Sequence, residues 1–136
     1  ELDGVLGGEG SGGVIVPELH ATHDSAGAVG LILEGLARTG SPVSKLVADL
    51  PQLTMLKHNV PVEPNRLYSV LQSFRLALER EQLSCDLTDG VRVVLPKGWV
   101  HVRASNTESM IRVIVEADEP VIAHELLGWV RDRLGK

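Results

Sequence analysis

The chain has 136 residues, 43% hydrophobic and 23% charged, with a formal net charge of −5 at neutral pH. That length bounds it to one domain, or one small domain with part of a neighbour, and its acidic balance speaks against nucleic-acid binding, which calls for a basic surface. Cys85 alone builds neither a disulfide framework nor a thiolate metal cluster and fits a reducing, cytoplasmic compartment, and no run nears the ~18 apolar residues of a membrane span.

The chain opens on Glu1 rather than Met. An opening strand runs straight into the glycine-rich segment Gly7-Gly8-Glu9-Gly10-Ser11-Gly12-Gly13, as in an excised fragment. Val14–Val16, closed by Pro17, reads as a buried strand. Asp24–Arg38 is a helix: Val29, Leu33, Leu36 and Ala37 recur at helical spacing, and Gly40 stops it. Ser41-Pro42 then offers an N-cap and a first-turn proline for a short helix over Val43–Leu50. Residues 51–54 read as a linker.

Beyond the linker, Met55–Val62 reads as a strand and Asn65–Gln82 as a helix, with Leu67, Val70, Leu71, Phe74 and Leu78 in one stripe. Ser84–Leu87 offers a short strand before the Asp89-Gly90 turn. Val91–Leu95 and Trp99–Arg103 alternate around Pro96-Lys97-Gly98 as a hairpin. Ile111–Glu116 is a further alternating strand, and a helix starts near Pro120 with Ile122, Leu126, Leu127, Val130 and Leu134 inward. The resulting fold class is α+β. A mostly antiparallel sheet covered by two helices, in the order β-α-β-β-β-α, follows a strand-helix-helix segment.

The segment Arg103-Ala104-Ser105-Asn106-Thr107-Glu108 joins two of these strands. Arg103 offers a planar two-point contact to phosphate oxygens; Ser105, Asn106 and Thr107 offer hydroxyl and amide donors. Strand parity puts Arg103 and Arg112 off the core side. The same composition also suits a polar hairpin loop whose side chains serve the turn itself. In the glycine-rich segment, Glu9 and Ser11 suit vicinal sugar hydroxyls, and the glycines permit close backbone approach. No Gly-Lys-Ser/Thr follows, so it is not a nucleotide P-loop; a flexible linker has the same composition. His20, His23, Glu18 and Asp24 lack a metal-site spacing and read as structural or solvated. Trp99 and Trp129 read as packing residues, and Cys85 as a small buried hydrophobe.

Together these blocks resemble the α-D-phosphohexomutase family over essentially the whole chain. Gly8–Gly13 with Asp24 is similar to its sugar-binding loop. Asp89-Gly90-Val91, Gly98-Trp99-Val100, Arg103–Glu108 and Ile111-Arg112-Val113 are similar to its phosphate-binding C-terminal domain. The resemblance implies a four-domain enzyme that interconverts hexose 6-phosphate and hexose 1-phosphate through a bisphosphate intermediate. A phosphoserine in the first domain and Mg²⁺ held by the second do the chemistry. Residues 1–50 would be the end of domain three, an α/β domain, and residues 55–136 domain four. Glu9 and Ser11 would hold sugar hydroxyls; Arg103, Ser105, Asn106, Thr107 and Arg112 would hold phosphate; Glu108 would buttress the loop. Neither the nucleophilic serine nor the metal loop is in this stretch. The expected partners are hexose phosphates and the N-terminal domains of the same enzyme, with no nucleic acid and no membrane.

The sequence departs from the family pattern at Ser109, where proline is usual, at His23 and Ser25 around Asp24, and at Gly13, where many members carry histidine. A free-standing, non-catalytic phosphosugar-binding or interaction module is the alternative. The identity of the hexose is not legible in these residues.

Overall fold

The fold is seen in a computed structural model that describes residues 4–8 and 12–135. The chain divides into two compact units, Glu1–Pro51 and Gln52–Lys136.

In the first unit, strand β1 (Gly7–Gly8) pairs antiparallel with β2 (Val14–Ile15), in the register Gly7↔Ile15. The glycine-rich segment is therefore not loop throughout: its first two residues pair in a ladder. Helix α1 (Ser25–Thr39) starts where Asp24 Oδ1 accepts a hydrogen bond from the Gly27 amide at 2.9 Å, which satisfies one orphan donor of the first turn. It ends at Gly40, in the left-handed region at φ 61°. Helix α2 (Val43–Ala48) departs from the expected cap, because Pro42 and not Ser41 is the N-cap residue. The Pro42 carbonyl accepts from Lys45 and Leu46, and Ser41 lies one residue too early to cap. Val14–Val16 is half-buried rather than buried, and Val29 and Leu33 of the expected core stripe are 55% and 59% exposed. A helix of this length forms locally but covers its apolar stripe only against a neighbouring layer.

The second unit follows the expected order, and the short strand offered over Ser84–Leu87 forms at Cys85–Asp86. Strands β3 (Thr54–Pro61), β4 (Cys85–Asp86), β5 (Val91–Leu95), β6 (Gly98–Ala104) and β7 (Met110–Ala117) form one five-stranded sheet in the order β3-β7-β6-β5-β4. Every neighbouring pair is antiparallel. A single 3-10 turn, Pro64–Arg66, leads into helix α3 (Leu67–Arg80), and helix α4 (Pro120–Leu134) closes the chain.

Alternation decides which strand residues meet the helices. Val91, Val93, Val100, Val102, Ile111, Val113 and Val115 are buried, and with Phe74, Leu78, Ala123, Val130 and Leu134 they form one core. Each of these side chains except Ala123 adds about 1.5–3 kcal/mol through burial. Gly98 lies against β7: a Cβ there would sit 2.2 Å from the Glu116 carbonyl oxygen and 2.9 Å from Leu126 Cδ1. The C-terminal ends of α3 and α4 are tied by Arg133, whose Nε and terminal nitrogen each donate to Glu81 at 2.9 Å. The Arg133 guanidinium stacks 4.0 Å from the Trp129 ring centroid, and Trp129 meets Phe74 edge-on at 6.3 Å.

Trp99 does not join this core. It lies on the opposite sheet face, where its indole N–H donates to Glu116 at 2.8 Å and Arg92 stands 5.1 Å from its ring. Parity explains this, since Trp99 alternates with the buried Val100 and Val102. Cys85 is half-buried at the core margin; burial raises its thiol pKa, the Glu79 carboxylate raises it further, and Arg75 opposes both.

Candidate functional site

The sheet face turned away from α3 and α4 carries the arginines. In the β6–β7 register Arg103 stands directly opposite Arg112, and on the far side of Arg112 the β3 register places Asn59. The Cβ atoms of directly opposed residues lie about 4.5–5.5 Å apart. Two arginine positions thus stand side by side at the end of the sheet where the β6–β7 connection begins.

Residues 105–109 form that connection. The Ser105 amide donates to the Met110 carbonyl at 2.9 Å, and the Met110 amide to the Glu108 carbonyl at 2.8 Å. The Ser109 carbonyl accepts from Val62 at 3.2 Å, which ties the loop to the end of β3. Ser105 is buried, and its hydroxyl oxygen lies 3.5 Å from the Thr107 amide. Asn106 and Thr107 are exposed.

The charges around the two arginines are loosely met. Arg103 Nε is 3.8 Å from Asp89 Oδ2, and a terminal nitrogen of Arg112 is 3.6 Å from Glu108 Oε2. Both separations exceed an ordinary hydrogen bond. Among the described residues, Arg112 Nε is a buried donor with no hydrogen-bond partner. An orphaned donor of this kind costs about 1–3 kcal/mol, and more when charged. A depression of about 530 Å³ opens beside Arg103, lined also by Tyr68, Gln72, Arg75, Asp89 and Asn106. Two cations, an unsatisfied guanidinium N–H, and exposed amide and hydroxyl groups at the sheet end away from α3 and α4 suit a multiply charged oxyanion.

The Asp86–Gly90 turn is part of this setting, and its Asp89-Gly90 is both the turn signal and one of the blocks that resemble the phosphate-binding domain. Its backbone closes onto Arg103: at Gly90, φ 75°, a Cβ would lie 2.4 Å from the Val102 carbonyl oxygen and 2.7 Å from Arg103 Cβ. The Thr88 amide and hydroxyl donate to Asp86 Oδ1 at 2.9 and 2.6 Å. These two bonds hold the Asp86 carboxyl below its ordinary range, the hydroxyl contributing most. His101 was assigned no role from sequence. It stands two residues before Arg103 on the same face, and its Nε2 hydrogen-bonds the Asp89 carbonyl. The available signal was parity; the contact itself spans 12 residues.

Glu9 and Ser11 lie outside the described residues. Nearby, the His23 ring occupies the space at Gly13, where a Cβ would come within 3.1 Å of it. Asp24 is engaged as the α1 cap, and His20 Nδ1 pairs with the Thr22 hydroxyl at 3.0 Å. Among the described residues no group of three or more His, Cys, Asp or Glu side chains gathers as a metal site. They do not fit Mg²⁺. No helix among them is long and apolar enough to cross a membrane.

Residues 58–132 match the phosphoglucomutase/phosphomannomutase C-terminal domain, and residues 1–54 match alpha/beta/alpha domain III of the same proteins. The chain belongs to the phosphoglucomutase/phosphomannomutase family. It is 38% identical over 127 residues to a phosphoglucomutase/phosphomannomutase of Thermococcus kodakarensis, covering 93% of this chain and 28% of the relative. It is 34% identical to a phosphoglucosamine mutase of Janthinobacterium, covering 96% and 27%. A crystal structure of a phosphoglucomutase/phosphomannomutase family protein from Burkholderia thailandensis shares the fold, with a TM-score of 0.79 at 24% identity, over 95% of this chain and 27% of that one. The chain thus spans about a quarter of the length of the relatives it matches.

Proposed function

We propose that this chain is the substrate-gripping part of a phosphohexomutase, a cytoplasmic enzyme that interconverts hexose 6-phosphate and hexose 1-phosphate. The observation that carries the reading is the cross-strand pair Arg103–Arg112 beside the 105–109 loop, with the Arg112 Nε donor left unpaired. In this reading residues 1–50 are the end of domain three, 51–54 the linker, and 55–136 domain four. Arg103, Ser105, Asn106, Thr107 and Arg112 grip the phosphate away from the reacting end, and Glu9 and Ser11 hold ring hydroxyls.

The division of labour follows from the reaction. A mutase moves a phosphoryl group between two ends of one sugar, so a bisphosphate intermediate must turn around and rebind in the opposite sense. A clamp that reads a phosphate and ring hydroxyls accepts both senses. Its contribution is positioning and electrostatic complementarity, which carry most of phosphoryl-transfer catalysis. The nucleophilic serine and the Mg²⁺ ligands would come from domains outside this stretch.

The test is kinetic, in an enzyme containing this chain. Arg103→Ala is expected to lower kcat/KM for a hexose phosphate by a factor equivalent to ~2–4 kcal/mol, the scale for losing one partner of a charged, hydrogen-bonded contact. Unchanged kinetics in a folded variant would refute the assignment.

A further inference from the structure

The two arginines of the clamp face each other across β6 and β7, and like charges directly opposed are destabilising. Among the described residues each has one carboxylate neighbour, Asp89 for Arg103 and Glu108 for Arg112. We propose that Asp89 and Glu108 are resident counter-ions which an incoming phosphate displaces from the guanidinium groups, and which thereby set how tightly the clamp holds. The inference rests on reading Arg103 and Arg112 as a phosphate clamp.

Three features carry it. The pairs are too long for hydrogen bonds, at 3.8 and 3.6 Å, and Asp89 and Glu108 are 69% and 55% exposed. Carboxylates so placed offset the paired positive charge yet cost little to release, because exposed ion pairs are weak. The Asp89 backbone is also held in place independently of the Arg103 guanidinium: Gly90 packs on the Val102–Arg103 backbone, and His101 hydrogen-bonds the Asp89 carbonyl. Its carboxylate can therefore swing aside while the turn stays docked. A phosphate makes shorter, charge-assisted contacts to the same nitrogens and replaces both carboxylates. A grip held back by internal competitors suits a ligand that must leave and return reversed.

The test titrates inorganic phosphate into the 136-residue chain, following affinity and the phosphate-induced shift in melting temperature. Asp89→Asn is expected to tighten binding about two- to fivefold, matching the strength of an exposed pair. Glu108→Gln should do the same, and the double variant more. The anion-free variants should melt at or below the wild-type temperature and gain more from phosphate than wild type does. Weaker or unchanged affinity in folded single variants overturns the inference and makes these carboxylates orienting groups or bystanders. Arg103→Ala is the control for the underlying reading: if it leaves phosphate affinity intact, the clamp itself is wrong.

Discussion

Arg103 and Arg112 are equivalent by charge but not by setting. Arg103, 28% exposed, lines the depression beside Asn106, whereas Arg112, 39% exposed overall, has its Nε buried and unpaired. A lysine offers a mobile ammonium without the planar fork. Arg112→Lys would keep the charge and remove the orphaned donor, so it should weaken phosphate binding while leaving the melting temperature near wild type. Glu9→Ala should impair hexose-phosphate recognition and leave inorganic-phosphate binding by this chain intact; loss of both would point to misfolding. The arginine pair was legible from sequence because period-two alternation fixes faces without knowledge of the fold. The His101–Asp89 contact was not, since it depends on how the turn before β5 folds over β6.

Among the elements, α3 ends in a Schellman arrangement, with the Leu83 amide donating to Leu78 at 3.0 Å and the Gln82 amide to Glu79 at 3.0 Å. Its left-handed residue is Gln82, at φ 58°. Glycine adopts that conformation without the Cβ penalty. Gln82→Gly is therefore expected to stabilise the second unit by about 0.5–1 kcal/mol, measurable by thermal or urea unfolding. The Asp86 turn carries a pH dependence. Its folded pKa lies below the ordinary 3.8, so its stabilisation is present above that value and is lost as pH falls through the lowered folded pKa. Hydrogen exchange should show the Thr88 amide losing protection across that acid range, and Asp86→Asn should abolish the dependence. The helices and hairpin of this unit were legible because 3.6-residue and two-residue periods agree with their turn signals. Trp99 packs as read, but beside Arg92 on the face its alternation with Val100 and Val102 dictates. The β1–β2 ladder was hidden because glycines carry no side-chain pattern to reveal pairing.

For the molecule as a whole, the two units differ in self-sufficiency. Gln52–Lys136 encloses a core around Phe74 and Leu78, both fully buried, and Phe74→Ala there should cost about 3–5 kcal/mol. Helix α1 of the first unit buries none of its residues, and Val29, Ile32 and Leu33 remain exposed. In the proposed enzyme the rest of domain three would cover that stripe. An excised chain would bind phosphate but turn over no hexose phosphate. The most direct measurement of the central claim is a heteronuclear NMR titration of this chain with inorganic phosphate. Saturable shifts centred on the Asn106–Ser109 amides and the Arg103 and Arg112 Nε–H signals are predicted, absent from Arg103→Ala. Shifts scattered elsewhere, or none at those signals up to saturating anion, would contradict the account.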